Sequence, residues 1–258
     1  MEKTYGFVGS GRVTRLILEG FKRGKGWPKK AFVSDANGET LKKLQDHFSD
    51  KAVSPCDNKQ AASSDVVFLA LHPPAIKDCL EEIKASLKPD AVFISLAPKL
   101  SLSALSKNLG GFDRIVRMIP NAPSFVNAGY NPISFSGAFT REEKKELSSM
   151  LGVLGECPEV EESKLEAYAI ITAMGPTYFW FQIEELQKIS EAFGLSANET
   201  GDGIAKMLHG AVKTYFDSGL TASEVMDLVP VKPLGEVEGS IREAYGTKLR
   251  ELYQKLKS

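Results

Sequence analysis

The chain has 258 residues, enough for one large domain or two modest ones and for a core that needs no covalent staples. Apolar residues make up 43% and charged residues 25%, which excludes global disorder. Lys+Arg at 32 against Asp+Glu at 33 leaves a net charge of -1, so nothing in the balance points to nucleic acid or an anionic membrane as a partner.

In chain order, residues 5–8 read as a strand that runs into Gly9-Ser10-Gly11. Residues 12–23 follow as a helix with Val13, Leu16, Ile17 and Gly20 on one face. Residues 31–34 form a second strand, and Asn37-Gly38 turns the chain into a helix over 39–48. Residues 66–71 are a continuous apolar run, the mark of a strand buried in a parallel sheet, ended by His72-Pro73-Pro74. A helix over 75–87, a strand over 91–96, a helix capped by Ser101 and a strand over 114–119 continue the alternation, and 131–136 adds a further strand. Thr140 and Glu143 form a capping box that opens a helix over 141–154. This alternation predicts an α/β fold: a Rossmann-type, doubly wound, mostly parallel sheet covered on both faces.

Past residues 158–162 the strand signals stop. Ser163…Glu166, Ser196…Glu199 and Thr221…Glu224 repeat the capping pattern, and Ile241, Tyr245, Leu249, Leu252 and Leu256 make one apolar stripe on the last helix. The expected division is therefore 1–160, a Rossmann dinucleotide-binding domain, and 161–258, an all-helical domain for dimerisation and substrate. A helical half of this size, with a narrow stripe, predicts a homodimer or higher homo-oligomer through the C-terminal helices. The run Tyr178-Phe179-Trp180-Phe181 is expected in a core or at that interface. The uncharged stretch 167–181 is too short to span a bilayer, and residues 1–4 carry no signal-peptide pattern, so a cytoplasmic location is expected. Cys56, Cys79 and Cys157 are odd in number and far apart, and His47, His72 and His209 do not cluster, so neither a disulfide framework nor a metal site is expected.

Gly9-x-Gly11-x-x-Thr14 stands where a dinucleotide fingerprint stands, after the first strand and at the start of the first helix. Gly9 allows the tight turn, Gly11 allows a pyrophosphate to approach, and the backbone of Ser10, Arg12 and Val13 surrounds it. Thr14 replaces the usual third small residue and is expected to loosen the packing of helix on strand. Asp35, about 20 residues further on at the end of the second strand, is the ribose candidate and favours NAD. Ser34 and Arg12 are groups that a 2′-phosphate could use, so NADP and NAD both stand. The later strand ends, at Leu71-His72-Pro73, Ala97 and Asn121, face the nicotinamide half. His72 is either a proton donor or a rim residue, and no catalytic acid is assigned.

These residues resemble the pyrroline-5-carboxylate reductase family over nearly the whole chain. The likeness is carried by Tyr5-Gly6-Phe7-Val8-Gly9-Ser10-Gly11, by Phe68-Leu69-Ala70-Leu71-His72-Pro73, by Val116-Arg117-Met118-Ile119-Pro120-Asn121-Ala122-Pro123, and by Gly175-Pro176-Thr177-Tyr178 at a helix start. The resemblance implies hydride transfer from a reduced nicotinamide to the carbon of a cyclic imine, giving proline. It also implies substrate contacts at Asn121, Met174, Gly175, Thr177 and Glu236, and Lys232 is a further candidate, a cation able to protonate an imine or bind a carboxylate. The family's Ser-Pro-Gly-Gly-Thr-Thr loop is altered here. Residues 232–237 read Lys-Pro-Leu-Gly-Glu-Val, and Met174 stands where the family has serine. Both loop threonines are lost, and Glu236 would repel a carboxylate. Three further readings follow: a related small substrate, a related Rossmann oxidoreductase acting on a hydroxy acid or a deazaflavin, and a non-catalytic NAD(P)-binding protein.

Overall fold

In the computed structural model, which describes residues 3–257, the six expected strands of the first half join a further short one in a seven-stranded sheet. The elements are β1 (Thr4–Val8), α1 (Arg12–Arg23), β2 (Lys30–Ser34), α2 (Gly38–His47), β3 (Val53–Pro55), α3 (Asn58–Ala62), β4 (Val66–Leu69) and α4 (Pro73–Ile83). They continue with β5 (Val92–Ser95), α5 (Leu102–Asn108), β6 (Ile115–Met118), β7 (Gly129–Tyr130), β8 (Ile133–Phe135), α6 (Arg141–Leu151) and β9 (Gly155–Glu156). The strand order is β3-β2-β1-β4-β5-β6-β8, parallel up to β6, with β8 antiparallel at the edge. Chain direction across the sheet reverses between β1 and β4, the place where such sheets leave a crevice at their carboxyl ends.

The two faces of the sheet follow from the two-residue period of a strand. Phe7, Phe68, Ile94 and Val116 stand in one row of the register and belong to one buried cluster. Val67, Phe93 and Ile115 form the adjacent row and pack into the other. The rings of Phe7 and Phe68 stack 4.7 Å apart. β3 and α3 are not anticipated by any apolar run, because β3 is three residues ending in proline. Their packing nevertheless explains Gly6: a Cβ there would sit 1.8 Å from the Ala61 carbonyl oxygen at the end of α3.

The capping box at Thr140 and Glu143 forms, as do those at Ser196 and Thr221. The one expected at Ser163 does not: Lys164 occupies the cap position of α7 (Leu165–Tyr168) without a side-chain bond, and Glu166 turns instead to Arg117. The expected loosening at Thr14 is also absent. Its side chain is fully buried, and its hydroxyl donates to the Gly9 carbonyl at 2.6 Å.

The chain forms two compact units. One ends at Met174 and takes back the chain from Tyr253 onward, and the other is Gly175–Leu252. The division thus falls later than residue 160. α7 and the π-helical turn Ala169–Ala173 belong with the sheet, because Leu165 and Ala169 bury against Ile119, joined by Leu256 from the last helix. The second unit contains α8 (Pro176–Ala192), α9 (Ala197–Asp217), α10 (Ala222–Asp227), α11 (Gly235–Ala244), a π-helical turn (Tyr245–Leu249) and the start of α12 (Arg250–Lys257). The expected stripe on the last helix is divided: Ile241, Tyr245 and Leu249 line a groove with α8, while Leu256 packs in the sheet unit. Among the described residues no helix is long and apolar enough to cross a membrane.

Candidate nucleotide site

The register of the parallel strands sets the site. Val8, Ser34, Leu69, Ser95 and Arg117 pair in one row across β2, β1, β4, β5 and β6. The loops that follow therefore leave the same edge of the sheet. They carry Gly9 to Val13, Asp35, Leu71 to Pro73, Ala97 and Asn121, so the structure brings the predicted cofactor residues to one edge.

The glycine turn is tightly specified. Gly9 has φ +105, and a Cβ on it would lie 2.5 Å from the Ala70 carbonyl oxygen. Its amide donates to the Ser34 carbonyl at 2.8 Å, and its own carbonyl takes the Thr14 hydroxyl. Gly11, by contrast, has nothing within 4 Å of where a Cβ would be. It caps α1 with no side-chain hydrogen bond, and the first turn of α1 contains no acidic residue. The first amides of the helix have no intrahelical acceptor, and no acidic side chain of the helix itself offsets the positive end of its dipole. Open space, free donors and a bare helix start are what an anionic diphosphate requires.

Asp35 follows β2 and is half-buried. Its Oδ2 accepts from both the amide and the hydroxyl of Ser10, each at 2.7 Å, and its Oδ1 accepts from the Asn37 amide at 2.8 Å. Burial acts to raise its carboxyl, but the hydrogen bonds from Asn37 and Ser10 outweigh it and hold the group below the ordinary value. Ser34 does not reach the crevice with its side chain. It is 1% exposed, with its hydroxyl directed toward the Phe7 carbonyl. Its place as a phosphate ligand is thereby lost, because the two-residue period turns it into the sheet. Arg12 is exposed at the first position of α1.

At the ends of the later strands, His72 caps α4 through its backbone only and is exposed, with Pro73 and Pro74 behind it. Ala97 is buried. Asn121 is 4% exposed, and both ends of its amide are used. Nδ2 donates to the Thr172 carbonyl, and Oδ1 accepts from the Tyr130 amide. Its backbone amide meets Asn131 Oδ1 at 2.8 Å. Asn121 thus shapes the end of β6 by tying it to β7 and to the π-helical turn. Asn131, fully buried and also taking the Ser124 hydroxyl at 2.9 Å, completes this tie. No spacing rule marks it in the sequence.

Of the remaining candidates, Met174 closes the sheet unit, and Gly175, Thr177, Lys232 and Glu236 belong to the helical unit. Lys232 and Glu236 are exposed, on either side of a turn in which the Gly235 amide donates to the Lys232 carbonyl at 3.0 Å. The aromatic run is not core within this chain: Phe179, Trp180 and Phe181 are 50%, 52% and 65% exposed. An arginine in the recognised strand motif acquires a role the sequence did not reveal. Arg117 is 3% exposed and pairs with Glu162 at 3.0 Å and Glu166 at 2.6 Å.

The strand order, the glycine turn and the acidic residue after β2 define a Rossmann-type nucleotide-binding α/β protein. A family model described as "NADP oxidoreductase coenzyme F420-dependent" matches residues 4–99. A pyrroline-5-carboxylate reductase 3 of Xenopus laevis is 30% identical over 218 residues, covering 83% of this chain and 77% of that one. The Escherichia coli (strain K12) pyrroline-5-carboxylate reductase is 26% identical over 230 residues, covering 89% and 85%. Among solved structures, a Plasmodium falciparum pyrroline carboxylate reductase with NADP bound superposes with a TM-score of 0.81 at 20% identity, over 99% of this chain and 97% of that one. A pyrroline-5-carboxylate reductase from Coxiella burnetii gives 0.67 at 27% identity, over 99% and 94%. The chain belongs to the pyrroline-5-carboxylate reductase family.

Proposed function

We propose that this protein is an NAD(P)H-dependent reductase of a C=N bond, turning 1-pyrroline-5-carboxylate into proline. The observation that carries the reading is the end-to-end likeness to reductases of that name, joined to a glycine turn whose geometry suits a dinucleotide. The bound nicotinamide supplies the hydride. The chain's own residues hold and orient it: α1 receives the diphosphate on its first amides, Asp35 meets the ribose, and the ends of β4, β5 and β6 form the wall for the nicotinamide. Asn121 keeps the β6 end in shape. The substrate contacts fall to Gly175, Thr177, Lys232 and Glu236 of the helical unit. The sheet unit serves the nucleotide, and the helical unit serves substrate and self-association, as a homodimer acting in the cytoplasm.

Self-association is supported by the apolar surface of the helical unit. Phe179, Phe181, Phe193, Phe216, Val231 and Leu234 are each at least half exposed, large apolar side chains of the kind a partner subunit covers. Reaction of purified protein with 1-pyrroline-5-carboxylate should oxidise NADH or NADPH, seen as loss of absorbance of the reduced nicotinamide, with proline as product. Cofactor binding without turnover would refute the substrate. A second reading, a related imine without a carboxylate, is favoured by Glu236 in the first turn of α11. Turnover of carboxyl-free cyclic imines but not of 1-pyrroline-5-carboxylate would select it.

A further inference from the structure

The ribose edge of the nucleotide site presents a carboxylate and has several of its donors already engaged. The Asn37 amide, which leads into α2, is taken by Asp35 Oδ1 at 2.8 Å. In the first turn of α2 the amides of Glu39 and Thr40 are taken by the Asn37 side chain at 3.0 and 3.1 Å, which leaves that of Gly38. Three of the backbone donors that a phosphate lying beyond β2 could use are thus engaged. The Ser34 hydroxyl is buried and directed toward the Phe7 carbonyl. Glu39 adds a second carboxylate in the first turn of α2, and Lys43, the cation beside it, is already paired with it at 2.7 Å. Among the described residues no cation pairs with Asp35.

We infer that this edge is built for an unphosphorylated ribose and that the protein binds NADH in preference to NADPH. The inference rests on the nucleotide-binding reading above. A 2′-hydroxyl is a donor, and Asp35 Oδ1, with one bond from Asn37, can accept a second. A 2′-phosphate brings only acceptors and about -1.5 to -2 of charge against a carboxylate that three hydrogen bonds keep ionised. Asp35 also has a positioning role, because both of its bonds through Oδ2 go to Ser10 inside the glycine turn. One carboxylate therefore reads the ribose and holds the loop that carries the diphosphate, and a substitution aimed at the first task also disturbs the second.

The test is a binding titration of the intact protein with NADH and NADPH, read by the fluorescence of the reduced nicotinamide. It is repeated by calorimetry with ADP-ribose and its 2′-phosphorylated form. The expected Kd for NADPH is at least about tenfold above that for NADH, and the ADP-ribose pair should give the same ratio. Asp35→Asn keeps the size and removes the charge, so the ratio should fall toward unity. Ser10→Ala leaves the carboxylate in place and should weaken both nucleotides by a similar factor, with the ratio kept. If Asp35→Asn instead weakens both nucleotides alike, its role is structural only and the inference is overturned. NADPH bound as tightly as NADH by the unaltered protein would also overturn it, and would assign the phosphate to an exposed cation such as Arg12. If neither nucleotide binds, the nucleotide-binding reading itself fails.

Discussion

Arg117→Met should destabilise the sheet unit by several kcal/mol, and the size follows from what the guanidinium leaves behind. Arg117 lies on β6, almost fully buried, with Nη1 on Glu162 and Nη2 on Glu166. Removing one side of a buried ion pair costs about 3–5 kcal/mol, because the other side stays desolvated without its counter-charge. Two features place this case at the lower end. The Glu162 side chain is 31% exposed and can rehydrate, and it keeps its bond from the Leu102 amide at 2.6 Å. The buried Arg117 Nε has no acceptor, so its removal deletes an unpaired donor. About 3 kcal/mol remains, which at about 2–4 °C per kcal/mol for a chain of this length lowers Tm by roughly 6–12 °C. Glu166→Gln keeps an acceptor and should cost less, about 1–2 kcal/mol. The pair Arg117→Met with Glu166→Leu removes both charges and should recover much of the loss. Thermal and urea unfolding followed by circular dichroism measure all three. An Arg117→Met variant that melts within about 2 °C of the parent, or a double variant less stable than Arg117→Met alone, would refute the reasoning.

The two glycines of the turn should separate stability from binding. Gly9→Ala must strain a positive φ and displace the Ala70 carbonyl, so both melting temperature and nucleotide affinity fall, whereas Gly11→Ala should melt as the parent does and lose nucleotide affinity in the same titration. Asp65 supplies a pH dependence. Burial opposes its ionisation, but Lys88 and the amide and hydroxyl of Thr4 lower its carboxyl from 3.8 to about 2. Because the folded value is the lower one, the stabilisation is fully present above about pH 4 and is lost as pH falls toward 2. Asp65→Asn should be less stable near neutrality and flatter across that window in unfolding experiments. Light scattering should find a species of twice 28.1 kDa at micromolar concentration, and Phe181→Glu, at a site 65% exposed in the single chain, should shift it to one chain without unfolding. A parent protein that runs only at 28.1 kDa would rule out the dimer.

Much of the fold was legible because its determinants are local. Apolar runs such as Val66–Leu69 mark buried strands by length and branching, and the caps at Asn37, Ser101, Thr140, Ser196 and Thr221 are short-range bonds between neighbours. The glycine turn was legible for the same reason, since strand, turn and helix are contiguous. What escaped was short or distant. β3 has three residues and no period to detect, and α3 has five. Ser163…Glu166 has the letters of a cap, yet Glu166 is drawn to a buried cation 49 residues away, which outbids a weak local bond. The unit boundary at Met174 depends on Leu165 and Ala169 finding Ile119, a burial that no local composition records.

The chain's own order of residues settled the types of the longer elements, the strand that carries the fingerprint and the family to which it belongs. Those properties follow from periodicity, backbone preference and residue identity within a few positions. Only the folded sheet decided that Ser34 faces inward, that Asp35 reaches 25 residues back to Ser10, and that Asn121 braces the site with both ends of its amide. Each is a contact between groups far apart in the chain that the fold brings side by side. A hydrogen bond depends on which groups meet in space, and the spacing of those groups along the chain carries no trace of it.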